Sequence, residues 1–434
     1  MIDGNLAAVI GVIAVMALVL LHVPIGVAMG VVGLAGYAWM LSADVAMSVL
    51  ATSAGSVLTN FDMLIIPLFL LMGAFVAEGG LADDLYLVAE LALGRRRGGL
   101  AAASILSCAF FGSVSGSATS TAATFSRIAI PQMIRRGYDP GVAGGAIAVG
   151  GTLGVMIPPS IVMAIYALMT EQFVIDLFIA AFIPALLAVA GYLAVIALIG
   201  WRSPDKLPRG QVFTRDERHR VLRSGWSTVA LLLLMSVALY SGLMTLVEAA
   251  ALGTVMSLGL ALVRRRMNRQ TFARALSQSA TATVMIYVSI IGASVLSSFI
   301  GLTQAANALV DFIGALSLPP LGIILAFIGM YLVLGAFFDE VAVMMLTLPF
   351  VYPVVVGLGY DPIWWGIINV VVINLSLITP PIGMNVFLIN TLFPDIGLRR
   401  LYAGVLPFIA VDLVRLALLV AFPGLSLWLL SLVR

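Results

Sequence analysis

Two proline pairs, Pro158-Pro159 and Pro380-Pro381, sit inside long apolar runs with hydroxyl and amide side chains close by. Thr152, Gly154 and Ser160 flank the first pair; Asn374, Thr379 and Asn385 flank the second. Proline has no backbone N–H and breaks a helix, which frees carbonyl oxygens upstream. Unwound backbone within a bilayer survives only where protein buries it or water reaches it. Carbonyl and hydroxyl oxygens gathered at such a break suit a hard cation. A kink of purely structural meaning is the competing reading, because proline kinks are ordinary in membrane helices.

A second concentration of oxygen-bearing residues runs from Gly112 to Thr121, where all but Val114 are Gly, Ala, Ser or Thr. Small residues let membrane helices pack closely. The same residues at a hairpin tip would bare carbonyls and hydroxyls to a cation and present a helix N-terminus to a carboxylate. Asp339 and Glu340 fall at the matching place in the second half. Acids at membrane depth are functional by default, and a solvated loop acid is the alternative. Arg127 lies about 12 Å before Arg135 along a helix, where it either snorkels to the surface or holds a substrate carboxylate. Asp412 and Arg415, three apart on one helix, read as a structural ion pair.

Enzyme chemistry finds little support. His22 and His219 are the only histidines, and the second falls in a polar linker, so a Ser–His dyad or histidine metal cluster has no basis. Gly112-Ser113-Val114-Ser115-Gly116 does not fit the Gly-x-Ser-x-Gly elbow. No Gly-x4-Gly-Lys-Ser/Thr phosphate loop occurs. Cys108 is the single cysteine, which excludes an internal disulfide.

The elements that must hold these residues are membrane helices. Of 434 residues, 62% are hydrophobic and 10% charged, with mean hydropathy +1.15; soluble domains carry about 25% charged residues. The start, Met1 to Asn5, lacks the basic region of a signal peptide, so the first apolar run reads as a retained span. Spans are expected near 5–22, 24–42, 60–78, 141–170 and 175–200, then near 226–243, 247–263, 277–298, 362–393 and 403–430. Stretches 99–134 and 319–357 must each enter and leave on one side. Arg95 to Arg97, Arg135-Arg136, the stretch Arg202 to Arg223, Arg264 to Arg266 and Arg399-Arg400 are the basic loops. The positive-inside rule puts them in the cytoplasm. Five spans per half is odd, so the halves face opposite ways.

An internal repeat supports that division. Gly137-Tyr138-Asp139-Pro140 recurs as Gly359-Tyr360-Asp361-Pro362. The same offset aligns Pro131 with Pro353, Gly144 with Gly366, and the two proline pairs. Each unit thus contains a hairpin, a turn and a broken helix. Paired interrupted segments in matching halves are the best pointer to a transporter's binding site.

At these residues the chain resembles the large membrane subunit of tripartite ATP-independent periplasmic (TRAP) transporters. The matching stretches are Phe111 to Thr119, Ile130-Pro131 through Tyr138, Gly151 to Ser160, Leu334 to Asp339, and Leu377 to Asn385. Ile65 to Phe69 with Gly73, and Glu248-Ala249-Ala250, also match. The pattern departs at Asn374 and at Glu340, which follows Asp339 where proline is common. The resemblance implies an all-α polytopic fold of two inverted repeats, each with about five spans and one re-entrant hairpin, working as an elevator. The expected units are 1–200, a cytoplasmic linker 201–224, and 225–434. It implies no enzyme and no organic cofactor, with Na+ as coupling ion for uptake of an organic acid in a bacterial inner membrane. Its expected partners are a small four-helix membrane subunit, a soluble periplasmic binding protein and the lipid bilayer, with no nucleic acid. Sodium ligands are expected from Gly112, Ser113, Ser115, Gly116, Thr152, Gly154, Pro158, Gly335, Asn374, Thr379 and Pro380. Substrate contacts are expected from Ser115, Ser117, Thr119, Arg127, Asp339 and Asn385. A stand-alone dicarboxylate or citrate-type carrier is the runner-up. A membrane scaffold or receptor would have no need of repeated broken helices.

Overall fold

The computed structural model describes residues 4–210, 213–305, 308–311 and 319–433. Its regular elements are helices, and the one β-bridge among the described residues joins Arg97 to Arg209. In chain order the helices are α1 (Gly4–Leu20), α2 (Ile25–Met40), α3 (Ala43–Thr59), α4 (Ile65–Glu78), α5 (Leu81–Leu93), α6 (Gly99–Ser115), α7 (Ala118–Arg135), α8 (Pro140–Met156), α9 (Ile161–Met169) and α10 (Val174–Arg202). After the linker come α11 (Arg215–Tyr240), α12 (Leu246–Val263), α13 (Arg269–Thr303), α14 (Pro320–Gly335), α15 (Glu340–Gly357), α16 (Pro362–Ser376), α17 (Met384–Leu392), α18 (Leu398–Ala421) and α19 (Gly424–Val433). Seven helices among the described residues are long and apolar enough to cross a membrane, or eight if α8 and α9, bent by 41° at their break, form one span.

The repeated Gly-Tyr-Asp-Pro turns work the same way in both places. Gly137 and Gly359 take left-handed φ values of 79° and 82°, which glycine reaches without a Cβ penalty. Asp139 then caps α8 by accepting from the Val142 N–H at 3.0 Å. Asp361 caps α16 by accepting from Ile363 and Trp364 at 2.8 and 3.0 Å. The proline that follows each Asp sits at a helix start, where its missing donor costs nothing. Both helices end shortly before the proline pairs, and both Pro-Pro bonds are cis.

Several boundaries differ from the sequence reading. α3 and α5 are additional helices. α3 is apolar but only 17 residues long, and α5 has 13 residues and carries Asp83, Asp84 and Glu90. α11 begins inside the 201–224 stretch, because Thr214 and Glu217 form a capping box there. The last apolar stretch is two helices, separated at Phe422 and Pro423.

The helices pack around two centres, which α5 and α4 join by lying against α6. α2 lies along α13, α4 against α12 and α13, and α5 against α11. In the other group α8 is central, touching α6, α7 and α18, while α16 packs on α14, α15 and α10. Residues Gly141 to Met156 and Ile363 to Ser376 are buried throughout. A helix apolar on every side belongs inside a bundle, and glycine lets its neighbours close in. A Cβ on Gly145 would lie 2.7 Å from the Gly404 carbonyl of α18.

The basic loops meet at one end of the molecule. Asp84, 2% exposed, pairs with Arg264 and, at 3.0 Å, with Arg266. Glu90 holds Arg136 at 2.6 Å, and the Asp139 N–H donates to the Lys206 carbonyl at 3.0 Å. These contacts tie α5, the end of α7, the linker and the α12–α13 turn together.

Candidate functional site

The first hairpin turns at Gly116, whose left-handed φ of 61° ends α6, and at Ser117, which caps α7. The Ser117 hydroxyl accepts from the Ser120 N–H at 3.4 Å and lies 3.3 Å from the Thr119 hydroxyl. Ser115 Oγ and Thr121 Oγ1 are 2.8 Å apart, and Thr121 donates back to the Ser117 carbonyl at 2.8 Å. This tip rests directly on the first broken helix. A Cβ on Gly112 would overlap Gly154, and one on Gly154 would lie 2.7 Å from Thr121 Oγ1. Small residues here are thus required by packing, whatever else they do.

The second tip follows the same plan. Asp339 caps α15 by accepting from the Val341 and Ala342 N–H groups at 3.0 Å. A Cβ on Gly335 would overlap the Ser376 hydroxyl at the end of α16. Each tip therefore lies against the break of the helix that follows it in its own half.

A cavity of about 590 Å³ opens where these parts converge. Gly116, Ser117 and Thr119 of one tip line it, with Asp339 and Glu340 of the other. Ile161 and Val162 after the first break and Leu377 at the second complete this wall; α2 and α13 supply the opposite one. The cavity thus lies between the two helix groups.

The remaining expected residues are distributed around this centre. Thr152 donates to Val149 at 2.7 Å and lies 3.4 Å from the Tyr192 hydroxyl. Tyr192 donates to Asp412 at 2.6 Å, and Asp412 pairs with Arg415 at 2.9 Å, the expected ion pair. Asn385 donates to the Ala148 carbonyl at 3.1 Å. Its Oδ1, and both polar atoms of Asn374, are buried without a hydrogen-bond partner among the described residues. Thr379 donates to Leu375 at 2.6 Å; Pro158 is buried and Pro380 exposed. Ser113 is half-buried and donates to Phe110 at 2.7 Å. Arg127 lies on the exposed face of α7 and does not line the cavity.

One residue escaped sequence reasoning. Asn369, fully buried on α16, also has both side-chain polar atoms without a hydrogen-bond partner among the described residues. An amide in the apolar run Ile363 to Ile373 was its signal. Buried polar atoms without partners are uncommon in folded proteins and call for an explanation. Among the described residues no three His, Cys, Asp or Glu side chains cluster as a metal site. A cation held here would meet carbonyl, hydroxyl and amide oxygens together with the carboxyl groups of Asp339 and Glu340, hard oxygen donors that fit sodium.

The chain is similar to known proteins. Residues 12–425 match the family described as "Tripartite ATP-independent periplasmic transporter, DctM component". A C4-dicarboxylate TRAP transporter large permease protein of Pseudomonas aeruginosa is 34% identical, covering 85% of this chain and 86% of its own. A sialic acid TRAP transporter large permease protein of Vibrio cholerae is 27% identical, covering 85% and 86%. The solved YdaH transporter of Alcanivorax borkumensis shares the fold, with a TM-score of 0.64 over 89% of this chain and 90% of that one, at 15% identity. The chain is accordingly a multi-pass membrane permease subunit rather than an enzyme, and it belongs to the DctM-component family of tripartite ATP-independent periplasmic transporters.

Proposed function

We propose that this chain imports an organic acid across the inner membrane, driven by sodium, after a periplasmic binding protein delivers the substrate. A small four-helix membrane subunit would complete the assembly. The observation that carries this reading is the cavity where both hairpin tips and both helix breaks converge. Relatives are named for C4-dicarboxylate, isethionate and sialic acid, all of them acids. An acid group fits the N-terminus of α7, where Ser117 and Thr119 present hydroxyls beside free backbone donors. Sodium fits the carbonyls and hydroxyls of the tips and breaks, from Gly112 to Gly116, Thr152 to Pro158, and Gly335, Asn374, Thr379 and Pro380. The halves act as inverted repeats, and the hairpins and broken helices, α6–α9 with α14–α17, move as an elevator against a scaffold that includes α1–α4 and α11–α13. Alternate access needs two bodies with the site between them, and the cavity lies between two packed groups.

The test is uptake into proteoliposomes across a sodium titration. All three components together should transport, and this chain alone should not; robust uptake by the single chain would favour a stand-alone carrier. Ser115→Leu and Thr379→Val should weaken the sodium dependence, while Arg209→Gln in the linker should not. If both site variants keep the wild-type sodium half-saturation and maximal rate, sodium binds elsewhere.

A further inference from the structure

A second cavity, of about 270 Å³, opens at the basic end of the molecule, where α10 ends against the early turns of α8 and α18. Arg202 in the last turn of α10 lines it, with Ser203 and Lys206 just beyond. Backbone contacts fix this corner. The Lys206 N–H donates to the Ser203 carbonyl at 3.0 Å, and the Lys206 carbonyl accepts from the Asp139 N–H at 3.0 Å. Leu198, one turn earlier on α10, forms an apolar wall with Ala403 and Pro407 of α18.

The two bases lack a counter-charge. Elsewhere at this end Glu90 holds Arg136, and Asp84 holds Arg264 and Arg266. Neither Arg202 nor Lys206 takes part in an ion pair among the described residues. Among the described residues no acid lines the cavity. Asp205 adjoins Lys206 in the chain but lies outside the lining, and Asp139 turns Oδ1 to the Val142 N–H at 3.0 Å. The corner thus presents two exposed, unopposed positive charges, and the ligand that suits it is an anion. Lysine and arginine both bind phosphate oxygens through charge-assisted hydrogen bonds.

Depth in the membrane selects among anions. Trp201, 79% exposed beside Arg202, marks the headgroup level at which exposed tryptophans settle. Leu198 and Leu406 are exposed on the neighbouring turns of α10 and α18, so the surface becomes apolar about 6 Å further in. A soluble anion would use the bases alone. A phospholipid uses the whole corner, with its phosphate at Arg202 and Lys206 and its acyl chains along Leu198, Ala403 and Pro407. Basic pockets between membrane helices on the cytoplasmic side take anionic headgroups, and the positive-inside rule puts this end in that leaflet. We infer that this corner is a binding site for an anionic phospholipid, separate from the cavity between the hairpin tips. The lipid joins α10 to α18 over the start of α8.

Lipid binding to the full chain purified in detergent, read by native mass spectrometry, tests this. The probes are phosphatidylglycerol and phosphatidylcholine with the same acyl chains. Wild type should favour phosphatidylglycerol by about tenfold. Arg202→Gln with Lys206→Gln should erase that preference. Arg218→Gln with Arg220→Gln, an equal change of charge on the exposed start of α11, should leave it intact. Ala403→Phe keeps both bases and fills the space beside the apolar wall, so it should weaken phosphatidylglycerol binding. Inorganic phosphate in large excess should displace none of the lipid. The site is refuted if wild type binds both lipids equally, if the first double variant keeps the preference, or if the second loses it as fully. Unchanged binding to Ala403→Phe, or displacement by inorganic phosphate, would show a soluble-anion site and overturn the assignment to a lipid.

Discussion

The side-chain amide of Asn385 donates to the Ala148 carbonyl at 3.1 Å, fastening the start of α17 to the middle of α8. Gly383, in the left-handed region at φ 55°, turns the chain immediately before it. The Asn385 N–H then donates to the Leu377 carbonyl at 3.0 Å, which closes the second break. The start of the helix after the second break is thus joined to the middle of the helix before the first. This contact is one of those that link the broken helices of the two halves, with the Tyr166 hydroxyl donating to the Pro362 carbonyl at 2.7 Å as another.

Asn385→Leu removes that link and leaves the rest of α17 in place. The lost interhelical hydrogen bond is worth about 1 kcal/mol in a membrane protein, so the variant should fold, with a small fall in melting temperature. Uptake by the full assembly should drop well beyond what that fall explains. Near wild-type uptake would show that the two breaks work independently.

Much of this arrangement could be read from the sequence. The Gly-Tyr-Asp-Pro turns and the proline pairs were legible because proline and left-handed glycine constrain the backbone locally. The role of Gly112 was legible only as a small residue; that it faces Gly154 depends on a crossing of α6 and α8 that no local pattern encodes. Arg127 went to the exposed face because the phase of α7 is set by its contacts with α8, and not by charge. α3 was hidden because its 17 residues, started by a Ser42 cap, are short for a span, and α5 because its Asp84 and Glu90, held in ion pairs, lower its hydropathy.

Two glycine-to-alanine changes should behave oppositely. In Gly112→Ala the new methyl meets Gly154 backbone, which cannot rotate away. Overpacking of this kind costs about 1–3 kcal/mol, so a clear loss of thermal stability in detergent is expected. In Gly55→Ala nothing lies within 4 Å of the new atom. There the gain in helix propensity, about 1 kcal/mol at most, should leave stability unchanged or raised. Equal effects would mean that α6 and α8 do not cross at Gly112.

The buried chain from Arg415 through Asp412 and Tyr192 to Thr152 predicts graded losses. Asp412 is 1% and Arg415 4% exposed. Asp412→Asn leaves the guanidinium without its counter-charge, and breaking a buried pair costs about 3–5 kcal/mol. That variant should express poorly or melt far below wild type. Tyr192→Phe keeps the pair and removes one donor, at about 1 kcal/mol, so it should fold well. Because Tyr192 also touches Thr152, uptake by Tyr192→Phe should fall while its stability holds. Equal stability of Asp412→Asn and wild type would refute the buried pair.

The joined basic loops predict a sidedness that labelling can read. Ser203 and Asn268 belong to the end where Arg136, Arg264 and Arg266 meet α5, and positive loops stay in the cytoplasm. Asp361 caps α16 in a second Gly-Tyr-Asp-Pro turn, and from Ala275 to Leu398 there is no Lys or Arg. Cys108 is fully buried, so Cys108→Ala provides a quiet background. Single cysteines at 203, 268 and 361 are then exposed to an impermeant thiol reagent in intact cells. Asn268 and Asp361 cap helices, and losing a cap costs only about 1 kcal/mol, too little to invert a polytopic protein. Position 361 should label from outside, whereas 203 and 268 should label only after permeabilisation. Labelling of 203 in intact cells, or of 361 only after permeabilisation, would mean that the halves do not face opposite ways.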